Sequence, residues 1–125
     1  MPRTIRATVR GFAGLLFLAG AVRAQESKPL RVTSENDITY TKVGDRELKL
    51  DMTRPAEGAG PYPAVIVIHG GAWRAGNRAD VHAPMTVLAQ HGYVTISPQY
   101  RFCPKDLFPA QIHDVKAAVR WLRAH

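Results

Sequence analysis

The residues with the clearest chemistry stand together at His69-Gly70-Gly71-Ala72-Trp73, directly after an unbroken apolar run at residues 64–68. Consecutive glycines let a backbone turn tightly and bring its N–H groups close to a ligand. Two such N–H groups aimed at one point are what an acyl-transfer site uses to hold a developing oxyanion. A Gly-Gly pair is more often a plain turn, but its place straight after a β-run, between a His and a Trp, favours the functional reading. Other candidates are poorer. Cys103, between Phe102 and Pro104, has no base beside it, which disfavours a thiol nucleophile. His113 and Asp114 are neighbours on a helix, so their side chains diverge by about 100° instead of forming a dyad. His69, His82, His91 and His113 lack the spacing of a metal site and read as structural or surface histidines. Neither a metal nor a cofactor is implied.

The elements that position this loop follow from hydrophobic periodicity. Ile38 and Tyr40 alternate with Thr39 and Thr41, and Leu48, Leu50 and Met52 alternate with Lys49 and Asp51. Both are half-buried strand patterns, and the Gly44-Asp45 pair between them suits a hairpin. Residues 55–63 form a loop. The β-branched run 64–68 is expected to be a strand covered on both faces. Residues 80–91 read as a helix capped by Asp80, with Pro84 in the first turn and Gly92 closing it. Residues 93–96 form a second buried strand. In a helix over 109–124, Ile112, Val115, Val119 and Leu122 line one face, while Lys116, Arg120 and Arg123 keep the other wet. A hairpin followed by strand–helix–strand–helix predicts an α/β fold with a mostly parallel sheet. With so few strands one edge is left bare, so the chain reads as the front part of a larger domain.

Composition bounds the rest. A chain of 125 residues, 46% hydrophobic, can bury a core, which excludes wholesale disorder. Nine Pro, ten Gly and a single Cys exclude a coiled coil, a collagen and a disulfide scaffold. No apolar run reaches the roughly 18 residues of a spanning helix. The formal charge of +7 suggests a nucleic-acid partner until the N-terminus is considered. There, Arg3, Arg6 and Arg10 precede a short apolar stretch, and Val22-Arg23-Ala24 places small side chains before Gln25. This is the pattern of a Sec signal peptide over residues 1–24, cut after Ala24, and it predicts a secreted or periplasmic protein. No Arg pair marks a twin-arginine signal. The remaining 101 positions hold 13 basic and 10 acidic residues in mixed order, so nucleic-acid binding is set aside. Residues 25–35 read as a flexible leader, and residues 36–125 as the domain. Cys103 is expected to be a buried free thiol.

Together with Arg74-Ala75-Gly76, Tyr100-Arg101, Phe108-Pro109-Ala110-Gln111 leading into Asp114, and Val119-Arg120-Trp121-Leu122, the glycine loop resembles the esterase/lipase branch of the α/β-hydrolase fold. That branch carries a His-Gly-Gly-Gly oxyanion motif and includes carbohydrate-esterase-like and hormone-sensitive-lipase-like members. The resemblance covers residues 36–125 and implies the N-terminal part of the fold, truncated before the nucleophile elbow. It implies that Gly71 and Ala72 donate the oxyanion-hole N–H groups, with Gly70 permitting the turn. It implies that His69 and Trp73 shape the loop and the wall of the substrate pocket without transferring protons. Tyr100, Arg101 and Asp114 become a structural polar set. Ala72 stands where the family often has a third Gly, and its N–H serves equally well if its φ is negative.

The family's nucleophile is a Ser in a Gly-x-Ser-x-Gly elbow, followed by Asp or Glu and then His. The serines here are Ser27, Ser34 and Ser97, none of them flanked by glycines in that pattern. Ser97, between Ile96 and Pro98, reads as structural. The resemblance therefore implies an N-terminal fragment of a secreted serine ester hydrolase, inactive alone. The complete protein would act on a small-molecule ester, with no nucleic-acid partner and no stable membrane insertion after signal cleavage. The alternative, from another class, is a short non-catalytic binding or interaction protein whose bare sheet edge is covered by a partner or by self-association.

Overall fold

A computed structural model describes residues 28–125; the signal reading at residues 1–24 lies outside them. β1 (Val32–Val43) and β2 (Arg46–Pro55) form the expected antiparallel hairpin, turned at Gly44 with φ of 60°. β1 begins inside the stretch expected to be a leader: Val32 pairs with Pro55, and the hydroxyls of Ser34 and Thr53 lie 2.9 Å apart. The polar alternation of residues 32–35 belongs to an edge strand, a pattern that composition alone reads as unstructured.

β3 (Ala64–Ile66), α1 (His82–Gln90), β4 (Val94–Pro98) and α2 (Ala110–Ala124) complete a four-stranded sheet of order β1-β2-β4-β3. The sheet is mixed. The hairpin and its junction with β4 are antiparallel, and parallel pairing begins between β4 and β3. One face packs under α2 through Tyr40, Leu48, Leu50, Ile96 and Ala118, flanked by Trp121 and Leu122. The other face packs under α1, where Met85 and Ala89 are fully buried and the Thr95 hydroxyl donates to the Thr53 carbonyl at 2.9 Å.

Three expectations are corrected. The strand covered on both faces is β4, buried from Thr95 to Pro98, whereas β3 is shorter than 64–68 and Ile68 is 50% exposed. The reason is position, since β4 is central and β3 is an edge. The first helical turn starts earlier than Asp80. Asn77 is the N-cap of a 3-10 turn, Arg78–Val81, that leads into α1. Its side chain accepts from the Ala79 N–H at 2.9 Å, and Asp80 accepts from the Asn77 N–H at 2.8 Å, a reciprocal capping box. Finally, α2 buries Gln111, Asp114 and Ala118 rather than the stripe through Ile112, which is 43% exposed. A buried ion pair at Asp114 sets the rotation of the helix.

That pair joins β4 to α2. Asp114 accepts the Arg101 backbone N–H at 2.9 Å and the guanidinium at 2.8 Å and 2.9 Å, and its side chain is 2% exposed. The hydrogen bonds to Asp114 raise the pKa of Arg101. A second cluster ties the hairpin to the entry of α1. Asp51 accepts from Arg78 Nε at 2.8 Å, from the Asp37 N–H at 3.0 Å, and is bonded to His82 Nε2 at 2.8 Å. Asp37 sits in a bulge of β1 with φ of 61° and also pairs with Arg78. Burial pushes the Asp51 carboxyl up, but the bonds from Arg78, Asp37 and His82 outweigh it and hold its pKa below the ordinary 3.8.

Two outcomes follow for urea unfolding. Asp51→Ala is expected to cost about 3 kcal/mol, the low end for breaking a buried pair, because Arg78 and His82 can still reach water. A carboxyl held below its unfolded value stabilises fully above about pH 4, and this contribution is lost as pH falls through the lower folded value. The acid-side decline of the parent chain should therefore be shallower in Asp51→Ala. Asp114→Ala is expected to cost more, about 3–5 kcal/mol, because it leaves the Arg101 charge largely buried without a partner. Equal midpoints for the two variants would contradict this ordering.

Candidate functional site

The loop after β3 is held by its carbonyls. The Gly71 carbonyl accepts from the N–H groups of Arg74 at 3.0 Å and Ala75 at 3.2 Å. The Gly70 carbonyl lies 2.8 Å from His69 Nδ1, which must therefore carry the proton. A trans peptide sets its N–H opposite its C=O. With both carbonyls engaged, the N–H groups of Gly71 and Ala72 each point away from the bond made by the carbonyl of the same peptide. Neither donates in any hydrogen bond found among the described residues, and both residues are exposed.

Steric detail assigns the glycines differently from the sequence expectation. Gly70 has open space around a would-be Cβ and no positive φ, so the turn does not depend on it. Gly71 does carry the turn: its φ is 118°, and a Cβ there would lie 1.9 Å from the Ala75 carbonyl oxygen. Gly76 is equally constrained, since a Cβ would lie 2.4 Å from both the Gly70 oxygen and His69 Nδ1. Ala72 has φ of 50° and Trp73 of 61°, so the negative φ expected at Ala72 is not found. Left-handed backbone costs a residue with a Cβ about 1–2 kcal/mol. The loop holds two such residues in succession.

His69 and Trp73, paired in the sequence reading as pocket wall, separate here. His69 is 3% exposed and lies beneath the loop. Its ring stacks on Tyr100 at 4.5 Å and meets the edge of Phe102 at 5.9 Å. The Tyr100 hydroxyl donates to the His69 carbonyl at 3.0 Å, and burial raises the pKa of that hydroxyl, keeping it a donor. Trp73 is 62% exposed and does wall a cavity, about 480 Å³ in volume, with Ala72, Arg74, Cys103, Phe108 and Ile112. Gln111 closes its floor, donating to the Asp106 carbonyl at 2.7 Å. The Trp73 carbonyl accepts from the Cys103 N–H at 2.8 Å, which ties the loop to the segment after β4. Cys103 is a half-buried free thiol, its Sγ 3.4 Å from the Asp106 carbonyl.

Of the remaining residues, Arg101 and Asp114 form the structural pair expected of them, while Tyr100 serves the loop instead. Ser97 is fully buried in β4, opposite Asp51, and its hydroxyl has no hydrogen-bond partner among the described residues. It cannot meet a substrate there. The roles of Gly76 and Gln111 were missed. The spacing of Gly71 and Gly76 around a tight turn was the available signal for the first, and nothing in the sequence separates Gln111 from an ordinary helical glutamine.

Residues 50–125 match the family model described as BD-FAE. A probable carboxylic ester hydrolase of Mycobacterium tuberculosis, LipM, is 35% identical over 117 residues, covering 86% of this chain and 27% of its own length. The crystal structure of esterase B from Lactobacillus rhamnosis superposes with a TM-score of 0.65 at 32% identity, covering 79% of this chain and 32% of that one. Esterase 2 of the planctomycete Thermogutta terrifontis gives 0.67 at 28% identity, over 74% of this chain and 34% of the other. The chain thus spans about a quarter to a third of the length of these three proteins. Its mixed sheet, helices and glycine loop are the N-terminal part of an α/β-hydrolase fold, and the chain belongs to the BD-FAE family, among the esterases of that fold.

Proposed function

We propose that the chain is the front portion of an exported serine ester hydrolase, one that contributes the oxyanion hole and leaves the nucleophile to residues outside these 125. The observation that supports the reading is the pair of pinned carbonyls at Gly70 and Gly71, beside Gly71 and Ala72 N–H groups that are exposed and have no partner among the described residues. In the complete hydrolase a serine attacks an ester carbonyl, a histidine takes and returns its proton, and the two N–H groups hold the oxyanion. Water then hydrolyses the acyl-enzyme. The apolar cavity beside Ala72 is placed to take one arm of a small ester, with Trp73 and Phe108 as its walls.

An oxyanion hole stabilises charge that only an attacking nucleophile creates, and Ser97 is buried. The chain alone is expected to hydrolyse p-nitrophenyl acetate no faster than buffer, with Ser97→Ala indistinguishable from the parent. A turnover abolished by Ser97→Ala would overturn the inactivity. The loop geometry yields a paired expectation for stability. Gly71→Ala should destabilise by about 1–3 kcal/mol, since the backbone must leave a conformation closed to side chains. Ala72→Gly should instead be neutral or stabilising by up to about 1 kcal/mol, because it relieves left-handed strain. Unfolding midpoints that moved the same way in both would contradict the assigned backbone.

The second reading, a non-catalytic interaction protein, draws on one observation. Among the described residues nothing pairs the outer edge of β3, and Ile68 beside it is half exposed. A monodisperse dimer in light scattering would favour it, and aggregation would favour the hydrolase portion.

A further inference from the structure

We infer that the cavity beside the glycine loop selects an ester arm that ends in a carboxylate, with the Arg74 guanidinium as its counter-charge. The inference deepens the hydrolase reading above and rests on it for the reaction, but the binding it describes stands apart from it. The cavity, about 480 Å³ in volume, combines two unlike features. Its walls are apolar and open: Trp73 is 62% exposed, Phe108 78% and Ile112 43%. Such surfaces gain free energy when an apolar body covers them. Among the described residues, Arg74 is the one charged residue that lines the cavity.

That charge is unspent. Arg31, Arg46, Arg54, Arg78 and Arg101 each pair with a carboxylate, whereas Arg74 is exposed and pairs with none among the described residues. No Asp or Glu lines the cavity, and α2, which begins at its wall, has no acidic residue in its first turn. Asp106 gives its carbonyl to Gln111 at the floor, but its carboxylate is taken by Arg46 at 2.9 Å and Arg101 at 3.7 Å. The neighbouring hollow, about 170 Å³ in volume and sharing Trp73 and Ile112, likewise holds a cation, Lys116, and no acid. Apolar walls beside an unpaired guanidinium fit an amphipathic anion, its body on the aromatic rings and its carboxylate in the fork of N–H donors. Arg74 follows Ala72 by two residues, so their Cα atoms lie within about 7.6 Å of each other. A short arm therefore spans from an ester carbonyl at the Gly71 and Ala72 N–H groups to a carboxylate at Arg74, as in the half-ester of a dicarboxylic acid.

The test is equilibrium binding to the ¹⁵N-labelled chain, followed through the Trp73 indole N–H resonance. Phenylbutyrate and the neutral phenylbutyramide are the probes, alike in body and different in charge. The carboxylate should bind about three- to fivefold more tightly, the upper range for an exposed ion pair. Arg74→Gln should remove that preference and leave the affinity for the amide as in the parent, while Arg74→Lys should retain part of it. Lys105→Gln removes an equal charge outside this cavity and should leave the preference intact. Equal affinities for the two probes in the parent, or binding of neither, would overturn the inference. So would a preference that survives Arg74→Gln, or one that Lys105→Gln reduces as much, which would mark attraction to net charge and not a site. Titration with trimethylphosphine oxide, a neutral acceptor, addresses the hydrolase reading separately. Unmoved Gly71 and Ala72 amides beside a preference lost in Arg74→Gln would sink the oxyanion hole and leave the anion site standing. Responsive amides without a preference for the carboxylate would do the reverse.

Discussion

The ion pair between Arg101 and Asp114 is the joint from which the geometry of the loop descends. It closes the gap between the exit of β4 and the second turn of α2 with two side chains, both largely withdrawn from water. Such a pair gains stability only when its remaining hydrogen-bond capacity is met. That condition is satisfied here by the Arg101 N–H and, more weakly, by the Ala110 carbonyl at 3.4 Å. Once Asp114 is fixed, Gln111 one turn earlier reaches the Asp106 carbonyl, and Asp106 in turn meets Arg46 of the hairpin at 2.9 Å. The segment so braced presents the Cys103 N–H to Trp73. The glycine loop is thus held from below by residues some thirty positions downstream, and the chain order hides that dependence.

The same joint explains why the helix faces as it does. Apolar periodicity assigned the buried face of α2 to Ile112, Val115, Val119 and Leu122, because hydrophobicity scales count a carboxylate as surface. A paired carboxylate can be the most buried group on a helix, and Asp114 shows it at 2% exposure. Turning that group inward rotates Ile112 toward the cavity beside Trp73 and Phe108. The apolar stripe is therefore divided: Leu122 packs on the core, and Ile112 lines the cavity. A buried charge has decided which hydrophobic residues pack on the core and which line the cavity.

Legibility in the sequence followed the range of the interactions. The hairpin, its glycine turn and the helix over residues 109–124 were plain, because alternation, turn chemistry and helical period are local. The glycine loop was legible as a tight turn after a strand, because a positive φ such as that of Gly71 favours glycine. What escaped was set by partners far along the chain. The start of β1 at Val32 depends on pairing with Pro55, and the exposure of β3 depends on its rank in the sheet. The cap at Asn77 was missed in favour of Asp80, although Asn-x-x-Asp has the reciprocal spacing. His69 was placed with Trp73 on the pocket wall because the family resemblance treats the two residues that flank the glycines alike. Its ring turns inward only because Tyr100 and Phe102, from another strand exit, provide a bed for it.

Strain and rigidity in the loop are two sides of one arrangement. Gly71, Ala72 and Trp73 all lie at positive φ, and two of them carry a Cβ that disfavours it. A free segment of this sequence would relax toward ordinary backbone and lose the alignment of its N–H groups. It does not relax, because three carbonyls of the turn have partners that would be forfeited: His69 Nδ1 for Gly70, two N–H groups for Gly71, and the Cys103 N–H for Trp73. Forfeiting one such bond without replacement costs about 1–3 kcal/mol, comparable to the strain it restrains. Donors fixed in this way would need no reorganisation if a negative charge developed beside them, as the proposed function requires. The strain of the loop is thus restrained by a scaffold of Arg101, Asp114, Tyr100 and His69 that lies behind it.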